Sequence, residues 1–306
     1  MRKLTLLILA LLAAVSCVED FVPDIKESDV RRVVVDAVLT TDTTAHCVRL
    51  SASAPYGTPS ERIPVISGAS VRLSDGTREI TLEEKGPGSY FTPDDYAGEV
   101  GKTYTLTIDG EDAGETFHFE ASDTMPPAGV RGDAFDYYKM SDSLWCFAIW
   151  GQDLPGIISH YSADLRVNGK AHSYGQWVSI DGYQMFDGNY LNCGEYFFYT
   201  AFDILGTGEE TPPLKEGDLI ELYTYSMSDF FYLFMTAMMS ESIAHMPLFS
   251  PQPANLPTNI EGGAAGVFAL AHCTKMSLVI GNPSRTRLEM LADHGMLPPG
   301  YRPDNE

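Results

Sequence analysis

Thr103-Tyr104-Thr105-Leu106-Thr107-Ile108-Asp109 is the stretch that decides the fold class. Threonines alternate with Tyr104, Leu106 and Ile108, and a period of two puts the hydroxyls on one wet face and the large apolar groups on a buried one. A helix would scatter both sets around its axis, so the segment is a half-buried strand. Working outward, short β-branched or alternating runs recur at 33–39, 46–52, 70–74, 79–83 and 116–121. Asp75-Gly76 marks a tight hairpin, and 109–115 a looser one. So many strands in about 100 residues, without helical periodicity, predict an immunoglobulin-like β-sandwich over 32–121. The stretch 122–129, with Met125-Pro126-Pro127, reads as a linker.

The remainder, 130–295, is richer in aromatic residues. Runs at 144–150, 161–167, 196–202, 219–225, 266–271 and 276–280 read as strands, and Asn168-Gly169 as a hairpin turn. Ser228 caps a helix near 228–244 that ends before Pro247 and is apolar nearly all round, which predicts burial. The expected architecture is all-β: the sandwich, then a β-barrel-like or curled-sheet domain with one packed helix. Residues 296–306 form a Pro-rich tail.

The N-terminus gives an address. Arg2 and Lys3 precede a twelve-residue, almost wholly apolar run, Leu4 to Val15, too short to span a bilayer core of about 30 Å. Residues 1–16 therefore read as a signal peptide. Ala14-Val15-Ser16-Cys17 resembles a lipobox, which makes Cys17 the lipid-attachment residue and 17–31 a lipidated tether. Several acyl chains on one residue anchor stably without crossing the membrane. Glu19-Asp20, just beyond, resembles a surface-export signal, so the expected location is the outer membrane, lipid-anchored and surface-exposed, with a periplasm-facing anchor as the alternative.

The chain has 306 residues, 20 Lys+Arg against 42 Asp+Glu, and a formal charge of −22. Such a balance provides no basic footprint for a phosphate backbone and excludes nucleic acid as a partner class. Besides Cys17 there are Cys47, Cys146, Cys193 and Cys273, which allow either free thiols or two disulfides in one of three pairings. Their spacing contains no zinc pattern.

Chemistry is sparse. The sequence has no nucleophile elbow, metal-binding helix motif, phosphate loop or EF-hand string. The acid pairs Asp94-Asp95, Glu83-Glu84 and Glu209-Glu210 read as solvated surface. Asp109, Glu111, Asp112 and Glu115 crowd one turn but lack the alternating oxygen spacing of a calcium loop. His46-Cys47 and His272-Cys273 are strand neighbours that point to opposite faces. Trp145, Trp150, Trp177, Tyr183, Phe186 and Tyr190 could build a stacking platform, with core packing the plainer reading. No catalytic residue, metal site or cofactor is expected, and the ligand-binding residues are not readable.

Val33-Val34-Val35-Asp36-Ala37, Ser67-Gly68-Ala69-Ser70-Val71, Gly88-Ser89-Tyr90 and Gly101-Lys102-Thr103-Tyr104-Thr105-Leu106, in this order, resemble the strand signatures of a Bacteroidota outer-membrane lipoprotein family. Pro253, Asn255, Asn259-Ile260-Glu261-Gly262-Gly263 and Gly266-Val267-Phe268 resemble its C-terminal signature. The family is domain of unknown function 4249, and the resemblance covers nearly all of the mature chain. It implies no catalytic residues, and it implies partnership with a TonB-dependent outer-membrane receptor. The expected function is a non-enzymatic lipoprotein that captures a nutrient for, or assists, such a transporter. The alternative is a surface adhesion or structural protein-binding lipoprotein, and a hydrolase with a dispersed site ranks behind both.

Overall fold

The computed structural model describes residues 31–55, 58–157, 159–171, 180–181, 187–200, 212–243 and 255–297. The signal peptide, Cys17, the tether to residue 30 and the tail from 298 lie outside the described residues. No helix among the described residues is long and apolar enough to cross a membrane.

The first half contains β1 (Val33–Thr40), β2 (Cys47–Ala52), β3 (Ser70–Ser74), β4 (Glu79–Thr81), β5 (Glu83–Gly86), β6 (Ser89–Phe91), β7 (Thr103–Asp112) and β8 (Glu115–Thr124). The second half contains β9 (Val130–Ser141), β10 (Leu144–Asp153), β11 (His160–Val167), β12 (Lys170–Ala171), β13 (Ile180–Asp181), β14 (Tyr190–Thr200) and β15 (Leu219–Met227). Helix α1 (Asp229–Ile243), the long strand β16 (Ala265–Val279) and a short helix α2 (Arg287–Asp293) follow.

A large sheet runs β12-β11-β15-β16-β1-β2-β6-β5, with β13 also against β11. A four-stranded sheet, β4-β3-β7-β8, faces its first-half end, and a three-stranded sheet, β14-β10-β9, packs on its second-half end. The first pair is the immunoglobulin-like sandwich. Its core joins Val35, Leu50 and Tyr90 from the large sheet to Val71, Leu73, Tyr104, Leu106 and Ile108 from the small one. Each of these fully buried side chains contributes about 1.5–3 kcal/mol relative to exposure. On the wet face, Thr103 bonds Thr124 and Thr105 bonds Ser122, both at 2.8 Å across the β7–β8 pair.

In the second half the curled-sheet alternative describes the arrangement. Among the described residues no barrel closes, because the β14-β10-β9 sheet lies over the large sheet as a separate layer. Phe147 and Trp145 meet Leu165, Ile220 and Leu222 between the layers. The other side of β10 is covered by α2, where Cys146 and Trp150 meet Met290 and Leu291. Both faces of β10 are therefore dry, which explains its nearly continuous burial.

Several elements differ from expectation. The looser hairpin at 109–115 is tight: β7 and β8 pair out to Asp112 and Glu115, and the turn is Ala113-Gly114, both at positive φ. Within the stretch read as a linker, Ser122 to Thr124 extend β8 and Met125 is buried in the first core. The two runs 266–271 and 276–280 are one strand, because His272-Cys273-Thr274-Lys275 keep the ladder with β15 despite their polarity. The expected helix carries Phe231 and Met235 into a core against β16, but Leu233 stays 54% exposed. A second helix, α2, starts at the Thr286/Glu289 capping box.

Strand β16 ties the halves together. It pairs in parallel with β1 from Ala265 to Ala271 and antiparallel with β15 from Ala271 to Val279. Phe268 and Leu270 enter the sandwich core, while Val267, Ala269 and Ala271 point to the opposite face under α1.

Candidate functional site

Strand β11 reads His-Tyr-Ser-Ala-Asp-Leu-Arg-Val, so polar side chains recur at 160, 162, 164 and 166. Ala163 and Leu165 enter the inter-sheet core. The alternating polar set therefore lies on the other face, the one that carries α1. Cross-strand register agrees: His160 is opposite Met227 and Ser162 opposite Tyr225, both of which pack with α1.

These polar groups are buried: His160 is 8% exposed, Ser162 3% and Asp164 7%. The His160 ring stacks on Tyr232 of α1 with centroids 3.9 Å apart, and its Nε2 is 3.5 Å from Asp229. Asp164 Oδ2 accepts from Arg166 Nε at 2.8 Å. His160 Nδ1, Ser162 Oγ and Asp164 Oδ1 have no hydrogen-bond partner among the described residues. Each such buried orphan costs about 1–3 kcal/mol unless something else satisfies it. Three in succession on one strand make this the candidate site.

Its floor is organised by charge pairs. Asp164, Tyr223 and Lys275 are neighbours across β11, β15 and β16. The Arg166 guanidinium lies 4.2 Å from the Tyr223 ring centroid and Lys275 Nζ 5.0 Å from it. Lys275 Nζ also meets Glu221 Oε1 at 2.5 Å. Burial pushes the Tyr225 phenol up and the Cys273 thiol up to about 12, keeping both groups neutral. The residue types are those of an acyl-transfer relay, but no hydrogen bond joins Ser162 to His160 or His160 to Asp164 among the described residues. Successive same-face positions on a strand are about 6.7 Å apart, which separates these groups. The row holds hydrogen-bonding capacity that the described residues leave unused.

The groups singled out from sequence have other roles. In the acidic turn, Asp109 binds Arg72 and His118, and Asp112 binds Arg31 at 2.6 Å. Glu84 accepts the Gly68 and Gly88 N–H groups, and Asp94 meets Lys85. Among the described residues no group of three or more His, Cys, Asp or Glu could hold a metal ion. His46 Nε2 lies 3.2 Å from the carbonyls of Asp42 and Tyr96. His272 points away from Cys273, towards the face shared by Ser226, and its Nδ1 is a fourth buried orphan. Cys47, Cys146, Cys193 and Cys273 are free thiols.

Trp145 packs in the inter-sheet core and donates to the Pro283 carbonyl at 2.8 Å, while Trp150 stacks on His294. Tyr190 is 47% exposed. Trp177, Tyr183, Phe186, Glu209-Glu210, Pro253 and the end of the expected helix at Ala244 lie outside the described residues.

The stretches that carry the family resemblance build architecture. Tyr90 OH donates to the Ile66 carbonyl and accepts from Ala69, and Tyr104 OH accepts the Glu99 N–H at 2.8 Å. The Asn259 amide clamps Phe268 at both its N–H and its carbonyl. Gly266 sits at φ +98°, and a Cβ there would run into the Val35 carbonyl, so only glycine allows β16 to lie against β1.

Two sandwiches sharing one continuous strand define an all-β protein with an immunoglobulin-like first half. The chain belongs to the family described as domain of unknown function (DUF4249), whose model matches residues 18–277. No curated protein matches it. Among solved structures, the chicken CNTN1 FN1–FN3 domains are 8% identical, with 63% of this chain and 59% of that chain covered and a TM-score of 0.24.

Proposed function

We propose that this protein is a non-enzymatic, lipid-anchored protein of the outer membrane that captures a ligand for a TonB-dependent transporter. The observation that carries the reading is the buried row His160, Ser162 and Asp164, whose polar atoms have neither partners nor the hydrogen bonds of a catalytic relay among the described residues. A lipobox-like Cys17 behind an apolar leader supports the anchor. Loss of residues 1–16 takes the charge from −22 to −24, so the globular part stands off anionic lipid.

Crosslinking on intact cells, pull-down of the native lipidated chain and mass spectrometry of its partners test the proposal. Recovery of a dominant TonB-dependent receptor, crosslinked through residues of the second half, is the expected result. Recovery of the chain alone, under conditions that preserve known barrel complexes, rejects the transporter role, and recovery of an adhesion partner instead makes it a surface binding protein. Radiolabelled palmitate incorporation that survives Cys17→Ser rejects the anchor.

A further inference from the structure

We infer that the row His160, Ser162 and Asp164 binds an uncharged, hydroxyl-rich small molecule, in chemical class a neutral saccharide. This deepens the capture reading, on which it rests, and is independent of any transporter. The three orphan atoms set the chemistry. Asp164 Oδ1 can only accept while the carboxylate is ionised, Ser162 Oγ can donate or accept, and His160 Nδ1 does either according to its tautomer. A hydroxyl answers all three because it carries both a donor and lone pairs and rotates to suit.

Charge excludes ionic ligands. Asp164 is already matched by Arg166, Glu221 by Lys275, and Asp229 lies against His160 Nε2. A net charge brought into this buried place would stand uncompensated. Spacing then excludes a simple alcohol: alternate positions on a strand put the three groups along roughly 13 Å, so the ligand must present several hydroxyls in a line. The atoms are closed to solvent in the free chain, and at the His160 end a ligand can enter only if Tyr232, whose ring lies on His160, parts from it.

The test is saturation-transfer NMR on the full chain in detergent micelles. The probes are neutral oligosaccharides of glucose, mannose, galactose and xylose, with glucuronate and glucosamine as charged members. Saturation is expected to reach at least one neutral member. Ser162→Ala should weaken that binding about tenfold or more while leaving the thermal midpoint unchanged or higher, because it deletes an orphan group. Asp164→Asn provides a second variant should the first fail to fold.

Transfer to no neutral member, a preference for a charged one, or binding indifferent to a folded variant overturns the inference. So does a crystal structure soaked with the responding saccharide in which the row holds water only. Loss of saccharide binding with an intact receptor crosslink removes this ligand class and leaves the accessory role, whereas saccharide binding without a crosslink does the reverse.

Discussion

In the first sandwich the hydroxyls of Tyr90 and Tyr104 both end on backbone partners, whereas His160, Ser162, Asp164 and His272 each keep a buried polar atom without one among the described residues. Both regions are equally β-rich and share a strand, so the difference is not one of fold. Native cores satisfy nearly all their buried polar groups, and the three exceptions that share one face of β11 call for their own explanation, His272 lying on the opposite face of the sheet. Among the described residues no buried side-chain nitrogen or oxygen of the first half lacks a hydrogen-bond partner, and the unmet hydrogen-bonding capacity lies in the second half.

The largest effect expected concerns the shared strand. Gly266→Ala forces a left-handed backbone onto alanine and drives its methyl into Val35, which should cost on the order of 4 kcal/mol or more. Urea unfolding followed by tryptophan fluorescence measures this. A loss under 1 kcal/mol would mean that β1 and β16 are not held in register as described.

Next come matched core truncations, Leu106→Ala in the sandwich and Leu165→Ala in the second half, each about 1% or less exposed. Each should cost about 2–5 kcal/mol. With β16 common to both cores, both variants should shift a single calorimetric transition. Two resolved transitions, with each mutation moving its own, would show the halves to be thermodynamically separate.

A smaller pair sharpens the contrast directly. Tyr104→Phe strips the acceptor from the Glu99 N–H and should destabilise by about 1–2 kcal/mol, whereas Ser162→Ala should be neutral or stabilising. Equal losses at the two positions would show that Ser162 has a partner in solution.

The smallest effect is on pH. Burial lowers the pKa of both His46 and His272, so the unfolded chain binds their protons first. Stability is then full above the ordinary histidine value of about 6.5 and declines as pH falls below it. Thermal midpoints across this range should fall on the acid side, and His272→Phe should flatten part of the decline. An unchanged slope in the variant would assign the effect to other groups.

Legibility followed the physics of each element. Strand β7 showed in the sequence because it has one wet face and one dry one, and Ser228 announced α1 through its cap. Strand β9 did not show: Tyr137 and Tyr138 are both buried, on opposite faces, and Gly132, Asp133 and Asp136 interrupt its pattern. The Thr286/Glu289 box was visible as residues but opens a helix of only seven. The candidate row was hidden for a different reason. Polar residues at every second position of β11 look like a solvated face, and only the packing of neighbouring elements in three dimensions shows that this face is dry.

Strand β16 also governs the order of events during synthesis. Val34 waits for Ala265, so the parallel pairing closes a loop that holds nearly all of the intervening chain. Contacts this distant in sequence slow folding, and the exposed edge of β1 is a site for wrong pairing until its partner emerges. A nascent chain stopped short of β16 has a sandwich without its central seam. The interval before the last strand arrives is therefore when β1 is open to mispairing, and C-terminal truncations should accumulate as aggregates rather than as a smaller folded domain.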